Sequence, residues 1–149
     1  MQAAASVLKT KFSVALPESY RPCEDEVFMS ERQIAYFQRK LLNWKEDILQ
    51  ESRETLGHLQ AETVNHPDLA DRASSETDRA LELRTRDRQR KLISKIDAAL
   101  RRIEDGSYGF CEDTGEPIGL ARLEARPIAI LGLEAQERHE RRERVHRDL

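Results

Sequence analysis

The chain has 149 residues, of which 25 are basic and 28 are acidic, so its formal net charge is −3. This balance weighs against binding nucleic acid through bulk charge, because phosphate contacts need a basic excess on at least one face. Charged side chains make up 36% of the residues and aromatic side chains 5%, a composition typical of long helices with narrow apolar stripes. No segment reaches the roughly 20 apolar residues that span a bilayer, and the N-terminus lacks a signal-peptide pattern. We therefore expect a cytoplasmic protein whose two cysteines, Cys23 and Cys111, are free thiols.

Two long helices are predicted after an N-terminal tail (1–30) that holds one short helix near residues 3–12. Ser30 is the expected N-cap of the first helix, which runs to about residue 64. Pro67 restricts His66 to extended geometry and ends that helix. The second helix is expected from about 72 to 105, where Gly106 ends it. Apolar residues at steps of three and four define both helices: Ile34, Phe37, Leu41, Trp44, Ile48, Leu56 and Leu59 in the first, and Ala80, Leu83, Leu92, Ile96, Ala99, Leu100 and Ile103 in the second.

The similar lengths and the short connection predict a mainly α protein built on a long antiparallel coiled-coil hairpin. The hairpin (31–105) would project about 50 Å at 1.5 Å per residue, with its tip at 65–73. Residues 1–30 and 106–149 would form a small globular base. We expect this protein to be a monomer.

The C-terminal segment is rich in turns and has the layout of a four-cysteine zinc ribbon, followed by helices at about 119–124 and 131–144. A structural zinc site needs four Cys or His ligands. Only Cys111 is present, and Thr114, Gly132 and Ala135 occupy the other three places. We therefore expect no zinc, with apolar contacts in its place around Phe110, Ile118, Leu120, Leu123, Ile128 and Leu131.

Two groups of residues could carry function. Asp68, Asp71 and Ala73 lie at the expected tip, where the simpler interpretation is helix capping and the functional one is contact inside a partner's cavity. The second helix also carries six cations, Arg84, Arg86, Arg88, Arg90, Lys91 and Lys95. Four of them, Arg84, Arg88, Lys91 and Lys95, share one face. Ion pairs with acidic residues of the first helix are the simpler interpretation of that face, and an anion-binding or protein-binding surface is the alternative.

The sequence resembles the DksA/TraR family. The matching runs are Phe28-Met29-Ser30-Glu31, Trp44, His66-Pro67-Asp68-Leu69-Ala70-Asp71-Arg72-Ala73, Leu81 through Ile93, Tyr108-Gly109-Phe110-Cys111 and Arg122-Leu123-Glu124-Ala125-Arg126-Pro127. The resemblance implies a transcription factor, not an enzyme, that binds RNA polymerase and inserts its coiled coil into the secondary channel. It also implies action with guanosine tetraphosphate (ppGpp), in the stringent response, to repress ribosomal RNA promoters and activate amino-acid biosynthesis promoters.

By position, the resemblance makes Asp68, Asp71 and Ala73 the determinants that approach the polymerase active centre. Likewise it places Arg88, Leu92 and Lys95 near the polymerase rim and the ppGpp shared with polymerase, while Gln136 stands where better-known members have a lysine. The family includes members that fold without metal on an incomplete cysteine set. Three alternatives stay open: a Gre-like transcript-cleavage factor, a degenerate zinc-ribbon nucleic-acid binder, and a coiled-coil scaffold with no polymerase role.

Overall fold

The computed structural model describes residues 16–61 and 69–148, and the side chains of all of these except 58–61 and 69–71. Within them the fold is mainly helical, as predicted, with helices α1 (Glu31–Ala61), α2 (Leu69–Asp105), α3 (Leu120–Ala125) and α4 (Leu133–Arg147). The described residues form no β-strand, and their one isolated antiparallel bridge joins Phe110 to Pro117. None of the described helices is both long and apolar enough to span a membrane.

The start of α1 confirms the predicted cap. The hydroxyl oxygen of Ser30 accepts a hydrogen bond from the backbone N–H of Gln33 at 3.4 Å, which satisfies one of the free donors of the first turn. The predicted end of this helix near 64, and the short helix near 3–12, lie outside the described residues. Helix α2 begins at Leu69, three residues before the predicted start, so Asp71 lies inside its first turn rather than before it.

The chain divides into two compact units. The base unit comprises Met1–Leu41 and Ala98–Leu149, and the hairpin unit comprises Leu42–Asp97. The sequence-based division placed both long helices wholly in the hairpin, whereas the structure groups the start of α1 and the end of α2 with the base. These two helix ends carry much of the apolar core of the base unit.

The core of the base unit is aromatic and aliphatic. Phe37 and Tyr108 lie with ring centroids 5.8 Å apart, and the rings of Phe28 and Phe110 meet edge to face at 5.6 Å. Gly109 has φ of 89°, and a Cβ there would lie 2.8 Å from the sulfur of Met29, so any other residue would strain the backbone and displace the Met29 side chain. The buried apolar residues of this unit include Ala35, Tyr36, Phe37, Leu41, Ala99, Leu100, Ile103, Tyr108, Cys111, Ile118, Leu123, Ile128, Ala129, Leu131 and Ala135.

The hairpin unit pairs α1 with α2 in antiparallel fashion. Lys45 forms an ion pair with Asp97 at 2.7 Å, and the hydroxyl of Ser52 donates to Gln89 at 2.9 Å. Residue numbers therefore rise along α1 as they fall along the facing part of α2. Ile48 and Ile96 are buried here together with Gln89, whose Nε2 also donates to Glu51 at 3.2 Å.

The apolar stripes are not buried along their whole predicted length. Leu56 is 39% exposed, Leu83 is 49% exposed, and Ala80 is exposed as well, so the expectation that they pack between the helices is wrong. Helix α2 carries no apolar side chain larger than that of Ala73 between residues 72 and 79. This part of α2 therefore has no apolar stripe wide enough to exclude water from the space between two helices.

Candidate functional site

The predicted tip residues are only partly described. Asp68 lies outside the described residues, and of Asp71 only the backbone, within α2, is described. Ala73 is exposed in α2, and its backbone carbonyl accepts a hydrogen bond from the hydroxyl of Thr77 at 3.0 Å. The methyl group of Ala73 is therefore open to contact by a partner, and the roles of the three residues stay predictions.

The basic face of α2 consists of Arg84, Arg88, Lys91 and Lys95, and all four side chains are exposed. None of them forms an ion pair or hydrogen bond with another described residue. Two acidic residues of α1 are engaged elsewhere, since Glu46 faces Arg53 at 3.9 Å and Glu51 accepts from Gln89. The simpler interpretation is that these cations form ion pairs with acidic residues of α1. Such ion pairs are not found in the described part of the chain.

Arg88, Leu92 and Lys95 lie together on α2 because their spacing of four and three places them on one side of a helix. Leu92 is half-buried, and the two cations on either side of it are exposed. An apolar side chain between two unpaired cations can bind an anionic group that also has a flat or apolar part. The structure thus brings these three predicted residues together on the hairpin unit, which also contains Asp71 and Ala73.

The finger segment, residues 106–119 with the loop at 130–132, is held by backbone hydrogen bonds around Cys111. The N–H of Cys111 donates to Glu116 at 2.8 Å, and that of Glu112 donates to Ile130 at 2.9 Å. Burial would raise the pKa of the Cys111 thiol, but hydrogen bonds from the Thr114 hydroxyl and from backbone N–H groups, including that of Gly132, lower it to about 7. Two of the residues that stand at places of a four-cysteine layout, Thr114 and Gly132, thus donate to the sulfur.

The donor set of this segment does not fit zinc. Cys111 offers one thiolate, while Thr114, Gly132 and Ala135 offer no side chain that zinc prefers. Across the described residues no group of three or more His, Cys, Asp or Glu side chains could hold a metal ion. His139 lies 3.5 Å from Asp113, which gives a pair rather than a site. A zinc-free fold stays the prediction for this protein.

Two arginines bind backbone carbonyl groups of the C-terminal part, and sequence reasoning missed both roles. Arg102 donates through Nη2 to the carbonyls of Ser107 at 3.1 Å and Phe110 at 2.6 Å. Arg122 donates through Nε to the carbonyl of Leu131 at 3.0 Å. Arg122 belongs to a run that resembles the family, but that resemblance predicts no contact for it, and no local signal distinguishes Arg102 from its exposed neighbour Arg101.

A polar cluster joins α1 to α3 within the base unit. Glu124 accepts from the Tyr36 hydroxyl at 2.6 Å and pairs with Lys40 at 2.8 Å, and Lys40 also donates to the Glu124 carbonyl at 2.9 Å. Burial alone would raise the pKa of the Glu124 carboxyl, but the hydrogen bonds from Lys40 and Tyr36 outweigh it and hold that pKa below its usual range. This cluster is structural, because Tyr36, Lys40 and Glu124 are partnered with one another, although Glu124 Oε2 is buried without a hydrogen-bond partner.

Comparison with known proteins gives the family. One family model, described as the N-terminal domain of the DnaK suppressor protein DksA, matches residues 33–103, and a second, described as the prokaryotic dksA/traR C4-type zinc finger, matches residues 106–141. The RNA polymerase-binding transcription factor DksA of Caulobacter vibrioides (strain NA1000) is 81% identical over 129 residues, covering 87% of this chain and 91% of that protein. This chain belongs to the DksA family.

Other DksA family members are similar over most of their length. The RNA polymerase-binding transcription factor DksA of Escherichia coli (strain K12) is 43% identical over 132 residues, which cover 89% of this chain and 87% of that one. The solved structure of transcription factor DksA2 from Pseudomonas aeruginosa matches with a TM-score of 0.74 at 42% identity, covering 83% of this chain and 94% of that one. The resemblance in the sequence and the predicted fold class are thereby confirmed.

Proposed function

We propose that this DksA family member is a transcription regulator that binds RNA polymerase and is not an enzyme. The observation that carries the proposal is the basic face of α2, four exposed cations without a partner among the described residues. The Caulobacter and E. coli relatives are RNA polymerase-binding transcription factors, and they supply the partner, RNA polymerase. A protein with this partner works in the cytoplasm, and we propose that it does so as a monomer.

The mode of binding follows the family expectation. We infer that the hairpin enters the secondary channel and brings Asp68, Asp71 and Ala73 close to the polymerase active centre. A factor that binds one promoter intermediate more tightly than another shifts their populations by that difference in affinity, so no chemical step on the chain is needed. Such a shift would shorten the life of ribosomal RNA promoter complexes and favour some amino-acid biosynthesis promoters.

We propose that ppGpp binds at the end of the basic face that is farther from the predicted tip. Arg88, Leu92 and Lys95 would form one wall of a ppGpp site whose remaining part is polymerase. Gln136, at the position of a lysine in better-known members, donates through its amide nitrogen to Glu140 at 3.1 Å and carries no charge. Where better-known members have a lysine, this protein therefore has an uncharged side chain, and part of the attraction for ppGpp would be absent.

The test compares wild type with Asp71→Asn in two assays on the same preparations, capture by core RNA polymerase and transcription in vitro from a ribosomal RNA promoter with and without ppGpp. Asp71 lies in the first turn of α2, where Asn keeps the size of the side chain and removes only a charge–dipole contribution of about 0.3–1 kcal/mol, so the variant keeps the fold. We expect near-normal capture with loss of promoter inhibition, while Asp78→Asn, an exposed carboxylate on the same helix, behaves like wild type. Wild type that is not captured contradicts the proposal, and transcript cleavage in stalled complexes favours the Gre-like alternative.

A further inference from the structure

A second surface of the hairpin unit lies on the side of α2 away from the basic face. Because a helix turns by about 100° per residue, Arg86 points about 160° away from Arg84. Leu83, Arg86, Asp87, Arg90 and Ile93 of α2, together with Ser52 of α1, line a groove of about 530 Å³ there. This set, named the flank groove, shares no residue with the basic face or with the predicted tip.

The flank groove combines apolar surface with free positive charge. Leu83 is 49% exposed and Ile93 is half-buried, so both offer apolar surface to a partner. Arg86 is half-buried and has no ion pair or hydrogen bond with any described residue. A half-buried guanidinium without an anion has given up part of its hydration with nothing in return from this chain.

The remaining polar groups of the groove are already engaged. Arg90 pairs with Asp87, which leaves one carboxylate against two guanidinium groups and a net positive charge. The hydroxyl of Ser52 donates to Gln89. The unsatisfied chemistry of the groove is therefore one cation beside an apolar side chain.

We propose that the flank groove docks a segment of RNA polymerase that carries a carboxylate next to an apolar side chain. The inference rests on the proposed function and adds a second contact, on a side of α2 that the basic face does not include. Charge complementarity selects the occupant, because the carboxylate would pair with Arg86 in fork geometry while the apolar group covers Leu83. A second copy of this chain is disfavoured, since a two-fold contact through this groove would bring like charges together. A phosphate backbone would meet Asp87 and gain nothing from Leu83.

The experiment measures the affinity of core RNA polymerase for five full-length proteins. These are wild type, Leu83→Ser, Arg86→Gln and two control variants on α1, Leu42→Ser and Arg53→Gln. Leu42 is 44% exposed and the Arg53 side chain 64%, so the controls remove similar groups from the other helix. Circular dichroism and light scattering on the same preparations report folding and oligomeric state.

We expect Leu83→Ser and Arg86→Gln each to weaken binding about tenfold, the size expected for a residue central to an interface, and both controls to bind like wild type. Arg86→Lys keeps the charge without the fork and should fall between Arg86→Gln and wild type. Unchanged affinity in both groove variants, while wild type binds, overturns the flank groove alone. Failure of wild type to bind overturns the proposed function first, and a wild-type dimer that Leu83→Ser dissociates assigns the groove to a second copy.

Discussion

Cationic side chains in the base unit and in the hairpin unit have different surroundings. In the base, Arg102 and Arg122 donate to backbone carbonyl groups, and Lys40 pairs with Glu124. In the hairpin, Arg84 and Arg88 have no partner among the described residues. The paired cations of the base therefore stabilise the fold, whereas the unpaired cations of the basic face are available to another molecule. Substitutions in the two units should separate folding from binding.

The base unit also buries more side chains than the described part of the hairpin unit does. The base buries an aromatic cluster and most of the core, while the described part of the hairpin unit buries only Ile48, Gln89 and Ile96 below a tenth of their surface. The free energy of folding is thus concentrated in the base and in the part of the hairpin next to it. From Gln89 towards the tip, the described side chains can change with little cost to stability.

The largest loss of stability is expected from Arg102→Met. The change leaves the carbonyls of Ser107 and Phe110 without their charged donor, and hydrogen bonds to charged groups contribute about 1.5–3 kcal/mol. The Nη1 atom of Arg102 is itself buried without a partner, which offsets part of that gain, so we expect a loss of about 2 kcal/mol. Thermal unfolding measures it, with Arg101→Met as the exposed control. Equal stability of the two variants would show that the carbonyl contacts do not matter.

A smaller, pH-dependent effect is expected from Glu124→Gln. The Glu124 pKa is lowered in the folded protein, so its contribution to stability is fully present above its ordinary pKa of 4.5 and is lost as the pH falls through the lowered value. The side chain is 41% exposed, and solvent screening keeps the difference below about 1 kcal/mol. Denaturant unfolding should show the variant less stable than wild type at pH 7, and this difference should shrink as the pH is lowered to 3. A constant difference at both pH values contradicts the assignment.

The smallest effect on the base is expected from Cys111→Ser. Serine can accept the same hydrogen bonds, so fold and promoter regulation should persist. The lowered pKa of Cys111, about 7 against an ordinary 9.0, adds stability as the pH rises from about 7 to 9. In unfolding experiments, the free energy of unfolding of wild type should therefore rise relative to that of Cys111→Ser between about pH 7 and pH 9. Loss of fold on Cys111→Ser, or stoichiometric bound zinc by elemental analysis with unfolding on chelation, would overturn the zinc-free account.

Much of the fold was predictable because it depends on local sequence patterns. The cap at Ser30, the two long helices and their antiparallel pairing follow from spacing, and the mismatch at Thr114, Gly132 and Ala135 is visible by inspection. The part that was missed depends on residues distant in sequence. Glu124 meets Tyr36, 88 positions away. The periodicity that predicts Leu83 in an apolar stripe does not say whether residues of α1 cover its side chain.

The candidate site divides in the same way. Spacing alone predicts that Arg88, Leu92 and Lys95 share one side of α2, because helical geometry requires it. Spacing could not decide whether α1 neutralises these cations, since that depends on where Glu46 and Glu51 find their partners. The flank groove was not predicted, because it includes Ser52 of the other helix.

The central claim is that the unpaired cations of the hairpin bind RNA polymerase and contribute nothing to the fold. The most direct test is the affinity of core RNA polymerase for the double variant Arg88→Ala/Lys95→Ala, measured beside its thermal unfolding. We predict a loss of affinity of at least tenfold, with a change in unfolding free energy below about 0.5 kcal/mol, as for exposed substitutions away from special features. Wild-type affinity in the double variant, or an unfolding loss as large as that of Arg102→Met, would contradict the account.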